Sequence, residues 1–259
     1  MMQVRSQESG DQAAVSVCMA TRNGERFLDA QLQSILGQLQ PGDELVVSDD
    51  SSTDRTVDIL QRYENPQVRL LLGNRFFNPI GNFEHCLRQA RHDILVLADQ
   101  DDIWLDNRLT IVRQQMAGRT SLIYAMMTDA AIIDATGKPT GKTLFRHFRA
   151  RNGVLRNLVW NCYTGCAMAF TRPLLELALP FPQGIPMHDA WLGLLADAAG
   201  TMELMEKPTL CYRRHDEATS GFRWRPVQQL RWRWTLAWHL WQRVHRRRPA
   251  AAGKRVTSA

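Results

Sequence analysis

The chain has 259 residues, enough for one large α/β domain with a tail. Hydrophobic residues make up 44% and charged residues 22% of the sequence, which is typical of a folded protein and excludes general disorder. The net charge of +6 is concentrated in the tail. No acid follows Glu217, whereas ten Lys or Arg and five of the eight Trp lie between positions 223 and 255.

Strand-like and helix-like segments alternate along the first half of the chain. Between the apolar runs, hydrophobic residues recur at helical spacing, as Leu28, Leu32 and Ile35 do. This alternation predicts a single Rossmann-like α/β domain with a mostly parallel central sheet covered on both faces. The runs predicted to be strands are residues 14–19, 44–48, 68–72, 94–98 and 121–127.

Three polar clusters directly follow predicted strands. The carboxyl ends of parallel strands meet at one edge of the sheet, where ligands of α/β proteins bind. We therefore expect the clusters to form a nucleotide site. They are Thr21-Arg22-Asn23 after the first strand, Asp49-Asp50 after the second, and Asp99-Gln100-Asp101-Asp102 after the fourth.

The acidic cluster at residues 99–102 admits two interpretations. Carboxylates this close repel each other unless a cation or strong donors neutralise them. Hard divalent cations prefer carboxylate oxygens and often keep a substrate phosphate as a further ligand. The loop therefore suits a metal that bridges protein and diphosphate. The alternative is a solvated turn, or a cap for a helix beginning near Ile103; the position after a buried strand favours the metal.

The Asp49-Asp50 cluster is also open to two interpretations. A carboxylate at a strand end can accept a hydrogen bond from a base imide or a ribose hydroxyl. The alternative is purely structural, because Ser51 with Asp54 three residues later resembles a capping box for the next helix. The two roles are compatible.

The pair His188-Asp189 lies between Pro186 and Trp191, before an apolar segment. A carboxylate beside apolar residues can have a raised pKa and act as a general base. The alternative is an ordinary helix start, with an acid at the positive end of the helix dipole.

The tract Tyr212-Arg213-Arg214-His215 offers basic groups and an imidazole. The basic groups could hold a diphosphate, and His215 could bind a metal. Taken alone, the tract is more typical of an ordinary surface stretch.

Cysteine usage and the apolar segments bear on the compartment. The first eleven residues lack an apolar signal core, so we expect no export signal, and no apolar run is long enough to span a membrane. An odd number of widely spaced Cys predicts free thiols in a reducing compartment. The five are Cys18, Cys86, Cys162, Cys166 and Cys211.

Taken together, these motifs resemble those of the family 2 glycosyltransferases of GT-A fold, in particular the bacterial rhamnosyltransferase-like members. The resemblance covers about residues 13–221 and keeps the motifs in family order. The segments that carry it are residues 15–24, 48–54 and 97–104, Gly165-Cys166-Ala167-Met168, His188-Asp189 and Tyr212-Arg213-Arg214-His215.

The resemblance implies an inverting enzyme that moves a sugar, with rhamnose as first candidate, from a nucleotide-diphosphate donor to a glycan or lipid-linked glycan hydroxyl. It implies that Asp189 is the catalytic base and that Asp101 and His215 hold Mg²⁺ or Mn²⁺. The residues implied on the nucleotide-sugar side are Ala20, Thr21, Arg22, Asn23, Asp49, Asp50, Asn82, Asp99 and Gln100. Those implied on the acceptor side are Gly165, Cys166, His188 and Trp191.

Two positions depart from the family pattern. Arg22 stands where many members have Tyr, so base stacking there would be replaced by a cation over a ring or by a phosphate contact. His188 stands where Glu is common, which leaves Asp189 as the only carboxylate of the pair.

Residues 222–259 are predicted to form a basic, Trp-rich helical tail after the catalytic domain. Trp and Arg on one helix suit an anionic membrane interface, here through residues 222–248 at the cytoplasmic face of the inner membrane. One alternative packs the Trp side chains onto the domain, with the Arg residues facing water. Binding of single-stranded nucleic acid ranks last, and we expect no nucleic acid partner. The apolar positions near one helical face are Val227, Leu230, Trp234, Trp238 and Trp241.

Two other functions compete with sugar transfer. A nucleotidyl- or phosphotransfer enzyme could use the same acidic loop, but the sequence has no Gly-rich phosphate loop. A non-catalytic, membrane-associated protein that binds sugar nucleotides is the second alternative, and the presence of both Asp101 and Asp189 speaks against it.

Overall fold

The computed structural model describes residues 13–215 and 226–246. The strands in these ranges are β1 (Val15–Thr21), β2 (Glu44–Asp49), β3 (Val68–Leu71), β4 (Ile94–Ala98), β5 (Ile103–Trp104), β6 (Tyr124–Ile133), β7 (Pro139–Thr143), β8 (Met168–Thr171) and β9 (Thr201–Arg213). The helices are α1 (Leu28–Leu36), α2 (Thr56–Arg62), α3 (Pro79–Gln89), α4 (Arg108–Met116), α5 (Leu144–Phe148), α6 (Val154–Val159), α7 (Arg172–Ala178), α8 (His188–Ala199) and α9 (Pro226–Arg246).

The strands form one sheet in the order β3-β2-β1-β4-β8-β6-β9-β5, with β7 paired to β6. β3, β2, β1 and β4 run parallel to one another, and β8 is antiparallel to both β4 and β6. Because β6 and β9 are parallel partners, six of the described strands run in one direction. The prediction of a mostly parallel α/β sheet is confirmed.

The central strands are buried on both faces. Every residue of β2 and β4 is buried, and Ala20 alone in β1 is partly exposed. A strand whose residues are apolar without alternation must be covered on both sides, which is why helices flank this sheet. The core therefore lies on both sides of β1, with the ends of β1, β2 and β4 at one open edge.

The segment after the acidic loop is a strand rather than a helix. Ile103 and Trp104 pair with Cys211 and Leu210 of β9, and the next helix begins only at Arg108. The alternative in which the acidic loop caps a helix near Ile103 is therefore wrong. The loop instead turns the chain from β4 into a pairing with a strand that is about a hundred residues away.

The hydrogen bonds before α2 differ from those of the predicted capping box. Asp54 accepts hydrogen bonds from the backbone N–H and the hydroxyl of Thr56, at 3.0 and 2.6 Å. Ser51 has a positive φ of 56° and donates its hydroxyl to the carbonyl of Asn74. Asp54 therefore stabilises the helix start, while Ser51 joins the strand-end turn to the loop before α3.

The α9 helix packs on the domain through its leucines. Leu236 and Leu240 are buried, whereas Trp234, Trp238 and Trp241 are exposed. The alternative in which these three Trp pack onto the domain is wrong, because the helix is seated through its opposite face.

The predicted domain boundary at 221 and tail residues 222–225 and 247–259 lie outside the described residues. Within the described ranges, no helix is both long and apolar enough to cross a bilayer.

Candidate active site

Polar loops meet at the carboxyl ends of β1, β2 and β4. The Thr21 hydroxyl donates to an Asp49 carboxylate oxygen at 3.0 Å, and the Asp50 N–H donates to the Thr21 carbonyl at 3.0 Å. Since β1 lies between β2 and β4, its terminal loop touches the loops of both neighbours. The structure thus brings the three predicted clusters together at one edge of the sheet.

A reciprocal clamp joins the β1 loop to the acidic loop. The Gln100 side chain accepts from the Arg22 N–H at 2.8 Å and donates to the Arg22 carbonyl at 3.0 Å. Gly24 makes this approach sterically feasible, because a Cβ at that position would lie 2.4 Å from Gln100 Oε1. Gln100 therefore positions the two loops relative to each other.

Asp49 and Asp50 both order their surroundings. Asp49 accepts from the backbone N–H and hydroxyl of Ser52, which closes the turn after β2. Asp50 is buried and accepts from the backbone N–H groups of Phe76 and Asn78, at 2.6 and 3.1 Å. If Asp50 contacts the nucleotide base as predicted, its carboxylate must do so while also accepting hydrogen bonds from the loop before α3.

An aromatic residue that sequence reasoning missed lies beside Arg22. The Arg22 guanidinium stands 5.0 Å from the ring centroid of Phe77 and 3.9 Å from an Asp50 oxygen. Phe77 is 61% exposed and has a positive φ of 53°, an unusual backbone conformation for a bulky residue. The pair Phe76-Phe77 soon after a predicted strand was a weak local signal, because the sequence does not show that Phe77 is exposed.

The remaining residues predicted on the nucleotide side lie in or near the β1 loop. Asn23 adopts a positive φ of 49°, donates its N–H to Ser52 and accepts from the Thr53 N–H. Asn82 is buried on α3 and donates to the Thr21 carbonyl at 3.2 Å. Ala20 is partly exposed near the end of β1. These residues shape the loop and leave its open edge accessible.

The two residues predicted to hold a metal are in contact. His215 Nε2 lies 2.8 Å from Asp101 Oδ2, although 114 positions separate them in the chain. The other ring nitrogen of His215 is buried and has no hydrogen-bond partner among the described residues. The contact exists because β9 runs alongside β5 and delivers His215 to the acidic loop.

Arg213 braces the acidic loop from within. Its backbone N–H donates to Asp102 at 2.9 Å, and its guanidinium donates to the carbonyls of Asp101 and Asp134, at 2.8 and 3.3 Å. The side chain is buried and lies over the ring of Phe27. Arg213 is thus committed to the loop, which contradicts the interpretation of this residue as a free diphosphate ligand.

A second set of potential ligands lies deeper. Atoms of Asp99, Asp102 and Cys166 lie within 4.8 Å of one another. Burial and the charge of Asp101 raise the pKa of Asp102 to about 7, and burial raises the pKa of the Cys166 thiol well above its ordinary value. A protonated thiol suits a hard cation poorly. Asp101 and His215, with partly exposed Asp99, are the better donor set.

Asp189 stands opposite the acidic loop at the start of α8. Its carboxylate accepts from the Gly165 N–H at 3.1 Å and from the Ala190 N–H at 2.6 Å. Burial raises the pKa of Asp189 to about 6. Its charge is close enough to contribute to the raised pKa of Asp99. Gly165 permits this geometry, since a Cβ there would lie 3.1 Å from His188 Nε2.

The other residues predicted on the acceptor side are more deeply placed. His188 is buried against the ring of Phe83, with a centroid separation of 4.1 Å, and burial lowers its pKa to about 3. Neither ring nitrogen has a hydrogen-bond partner within the described ranges. Trp191 is fully buried and donates to the Ala178 carbonyl, so it is a core residue here. Cys166 lies beneath the acidic loop rather than on the acceptor side.

Residues 16–177, more than half of the chain, match the model of Glycosyl transferase family 2. The UDP-Glc:alpha-D-GlcNAc-diphosphoundecaprenol beta-1,3-glucosyltransferase WfgD of Escherichia coli is 27% identical over 191 residues, covering 72% of each chain. The dTDP-rhamnosyl transferase RfbG of Shigella flexneri is 25% identical over 222 residues, covering 78% of this chain and 73% of the relative.

Solved structures show the same fold. S. aureus TarS 1-349 in complex with UDP-GlcNAc matches with a TM-score of 0.63 and 18% identity, over 81% of this chain and 62% of that chain. Mannosyltransferase PcManGT from Pyrobaculum calidifontis, in complex with GDP-Man and Mn²⁺, gives 0.57 and 22%, over 82% and 59%. The predicted GT-A fold is confirmed. With the family model spanning β1, β2, β4 and the acidic loop, the chain belongs to glycosyl transferase family 2 and is a glycosyltransferase.

Proposed function

We propose that this glycosyltransferase moves a sugar from a nucleotide-diphosphate donor to a hydroxyl of a glycan or lipid-linked glycan, with inversion at the anomeric carbon. The observation that carries the proposal is the placement of Asp189. Two backbone N–H groups fix its carboxylate opposite the acidic loop, and burial raises its pKa to about 6. A general base with a pKa just below neutral pH is ionised yet still basic enough to accept a proton.

The donor would bind at the β1 and β2 loops. Phe77 and Arg22 offer an aromatic face and a cation at the exposed edge, and Asp50 lies beneath them. This arrangement suits a stacked base with its diphosphate directed towards residues 99–102. Both relatives named above carry pyrimidine nucleotides in their names, UDP in one and dTDP in the other. We therefore favour a pyrimidine donor, with dTDP-rhamnose first and UDP-sugars second.

A divalent cation, Mg²⁺ or Mn²⁺, fits the acidic loop. Asp99, Asp101 and Asp102 lie close together, and burial, together with repulsion between their carboxylates, raises the pKa of Asp99; a divalent cation would offset this repulsion. Asp101 and His215 would hold the ion, with Asp99 beside it. When bound, such an ion supplies Lewis-acid stabilisation of the leaving diphosphate.

In the proposed reaction, Asp189 accepts the proton of the acceptor hydroxyl. The acceptor oxygen then forms a bond to C1 of the donor sugar while the bond from C1 to the diphosphate oxygen breaks. The Gly165 and Ala190 N–H groups hold the carboxylate in place during the transfer. Gln100 holds the β1 loop and the acidic loop in a fixed relative position.

Replacing the proposed base tests the mechanism directly. Asp189→Asn should retain donor binding and reduce transfer by about two to four orders of magnitude, the usual contribution of a general base. Activity would be followed as nucleotide release in the presence of acceptor. Asp58→Asn, at an exposed position in α2, is the matched control. Transfer by Asp189→Asn at the normal rate would refute the assignment.

Ligand-dependent stability tests the donor and metal site. UDP or dTDP with Mn²⁺ should raise the unfolding temperature, because a ligand that binds only the folded state stabilises it by about 2.7 kcal/mol at one hundred times its Kd. Asp101→Ala should remove the metal-dependent part of the shift. An unchanged shift in unfolding temperature in that variant would show that Asp101 does not hold the metal.

We further propose that the acceptor is lipid-linked and that the enzyme works at the cytoplasmic face of the inner membrane. The name of the Escherichia coli relative supports the first part, since it specifies a diphosphoundecaprenol acceptor. The basic, Trp-rich tail supports the second part. Attachment would be peripheral, through the apolar and basic side chains of α9.

A further inference from the structure

The short helix α6 exposes large apolar side chains. Leu155 is 82% exposed, Val159 61% and Trp160 55%. Asn157 on the inner face is buried and bonds to Cys162 and Tyr163, so the helix is firmly seated and its apolar face points outward. A group of neighbouring, exposed, large apolar side chains is typical of a surface that binds a partner or a membrane.

α9 lies beside this exposed face. The Arg233 guanidinium donates to the Val159 carbonyl at 2.9 Å, which ties the end of α6 to the middle of α9. Because α6 and α9 are in contact, we consider their exposed apolar side chains together and call them the α6–α9 surface. Its members are Leu155, Val159, Trp160, Val227, Leu230, Trp234, Trp238 and Trp241, all more than a third exposed.

The charged side chains that α6 and α9 themselves carry are all of one sign. Neither α6 nor α9 contains an acidic residue, and the cations among their described side chains are Arg156, Arg231, Arg233 and Arg243. Arg231 is exposed, whereas Arg233 and Arg243 also donate to backbone carbonyls of the domain. A second copy of this chain would bring like charges together, so self-association through this surface is disfavoured. Anionic phospholipid headgroups complement it, and Trp rings favour the interface between headgroups and acyl chains.

We propose that the α6–α9 surface docks on an anionic bilayer, with apolar side chains from both helices inserted at headgroup depth. The catalytic domain would then contact lipid itself, through α6, and the tail would not be a separate tether. α9 is anchored to the domain by buried Leu236 and Leu240, and Arg243 donates to the carbonyls of Leu177 and Leu179. The seated helix therefore fixes how the domain meets the bilayer.

The docked orientation has a consequence for the site. α8 packs against both α6 and α9, and it begins at His188 and Asp189. Residues 160–164 connect α6 directly to Gly165, whose N–H bonds the Asp189 carboxylate. Docking through α6 and α9 would therefore hold Asp189 at a fixed height above the headgroups, where the hydroxyl of a lipid-linked acceptor is presented.

Flotation with vesicles tests the proposal on the full chain. Wild type should bind phosphatidylcholine vesicles that contain about one-third phosphatidylglycerol, and bind pure phosphatidylcholine vesicles much more weakly. The double variant Leu155→Ser/Trp160→Ser should lower the partition coefficient roughly tenfold or more, because two apolar side chains lose their burial. Leu122→Ser, at an exposed position in the turn before β6, is the matched control and should bind like wild type.

Three results would overturn the proposal. The first is unchanged vesicle binding by the α6 double variant, which would leave at most the tail in contact with lipid. The second is equal binding of wild type to neutral and anionic vesicles. The third is a dimer that forms without lipid and that the same substitutions dissociate. That result would show that the α6–α9 surface binds protein rather than lipid. Stabilisation by nucleotide and metal should be the same in wild type and the variants, so failure of the proposed transferase function would be seen separately.

Discussion

At the scale of single residues, Asp189 holds the most informative position. Its carboxylate accepts two backbone N–H groups, which favour the ionised form, yet burial is the larger effect and raises the pKa to about 6. The same burial makes the charged carboxylate unfavourable for folding. This cost is present above pH about 6 and disappears as the pH falls below the ordinary carboxyl pKa of about 3.9.

The raised pKa predicts an acid limb in the pH profile of transfer. Because the base must be ionised to accept a proton, the rate should decline below pH about 6, by roughly tenfold per pH unit once the carboxyl is protonated. The measurement is initial transfer rate against pH at saturating donor. The control variant Asp58→Asn should show the same decline in rate at low pH as wild type. A rate that stays constant down to pH about 5 would contradict the assignment of Asp189.

At the scale of elements, the site depends on contacts between loops that follow different strands. Gln100 joins the β4 loop to the β1 loop, and Asp50 joins the β2 turn to the segment before α3. β9 closes the arrangement, because Arg213 holds the acidic loop and His215 contacts Asp101. Each loop is therefore positioned by a neighbour rather than by its own sequence alone.

The loop clamp can be tested by crowding it. In Gly24→Ala the new Cβ would overlap Gln100 Oε1, and the flexible glutamine would rotate away and lose its bonds to Arg22. We expect a loss of stability of about 1–2 kcal/mol, from two exposed hydrogen bonds, together with weaker donor binding. Isothermal titration with UDP or dTDP and Mn²⁺ measures the affinity.

Two variants sharpen this test. Gly37→Ala, where a Cβ would lie 3.4 Å from the nearest backbone oxygen, is a control at a helix end outside the site. Gln100→Ala should weaken the donor about as much as Gly24→Ala does, and the double variant should be no weaker than either. Additive losses would show that Gly24 acts by another route.

At the scale of the whole molecule, α9 completes the core and presents a second surface. Leu236 and Leu240 are buried against the domain, and the same helix exposes three Trp on its other side. A helix with apolar residues on two faces has one face available for another contact. This division explains how a tail rich in Trp and Arg is both a part of the fold and a candidate for lipid contact.

Substitutions on the two faces of α9 should lower stability by unequal amounts. Leu236→Ala should lower the free energy of unfolding by about 2–3 kcal/mol, as large-to-small core substitutions do. Trp238→Ser removes a larger but half-exposed side chain and should change it by much less, about 1 kcal/mol or below. Urea denaturation followed by circular dichroism compares the two. Equal losses would contradict the packing of α9 through its leucines.

Much of the fold was predictable because its signals are local. Continuous apolar runs identified β1, β2 and β4, and helical spacing identified α1, since both patterns repeat within a few residues. The short β5 and the long β9 were not predicted as strands, because each is stabilised by distant pairing rather than by its own pattern. Phe77 was also missed, since its exposure follows from a loop conformation that the sequence does not specify.

The sequence by itself determined the family, the α/β class and the residue types of the site, because strand-end polar clusters and their order along the chain are linear properties. The tertiary structure alone decided which of those side chains meet. It paired His215 with Asp101 across 114 positions and committed Arg213 to the acidic loop. It also buried Trp191 and turned the Trp face of α9 outward. Such outcomes depend on which surfaces pack together, and that is settled only when the whole chain has folded.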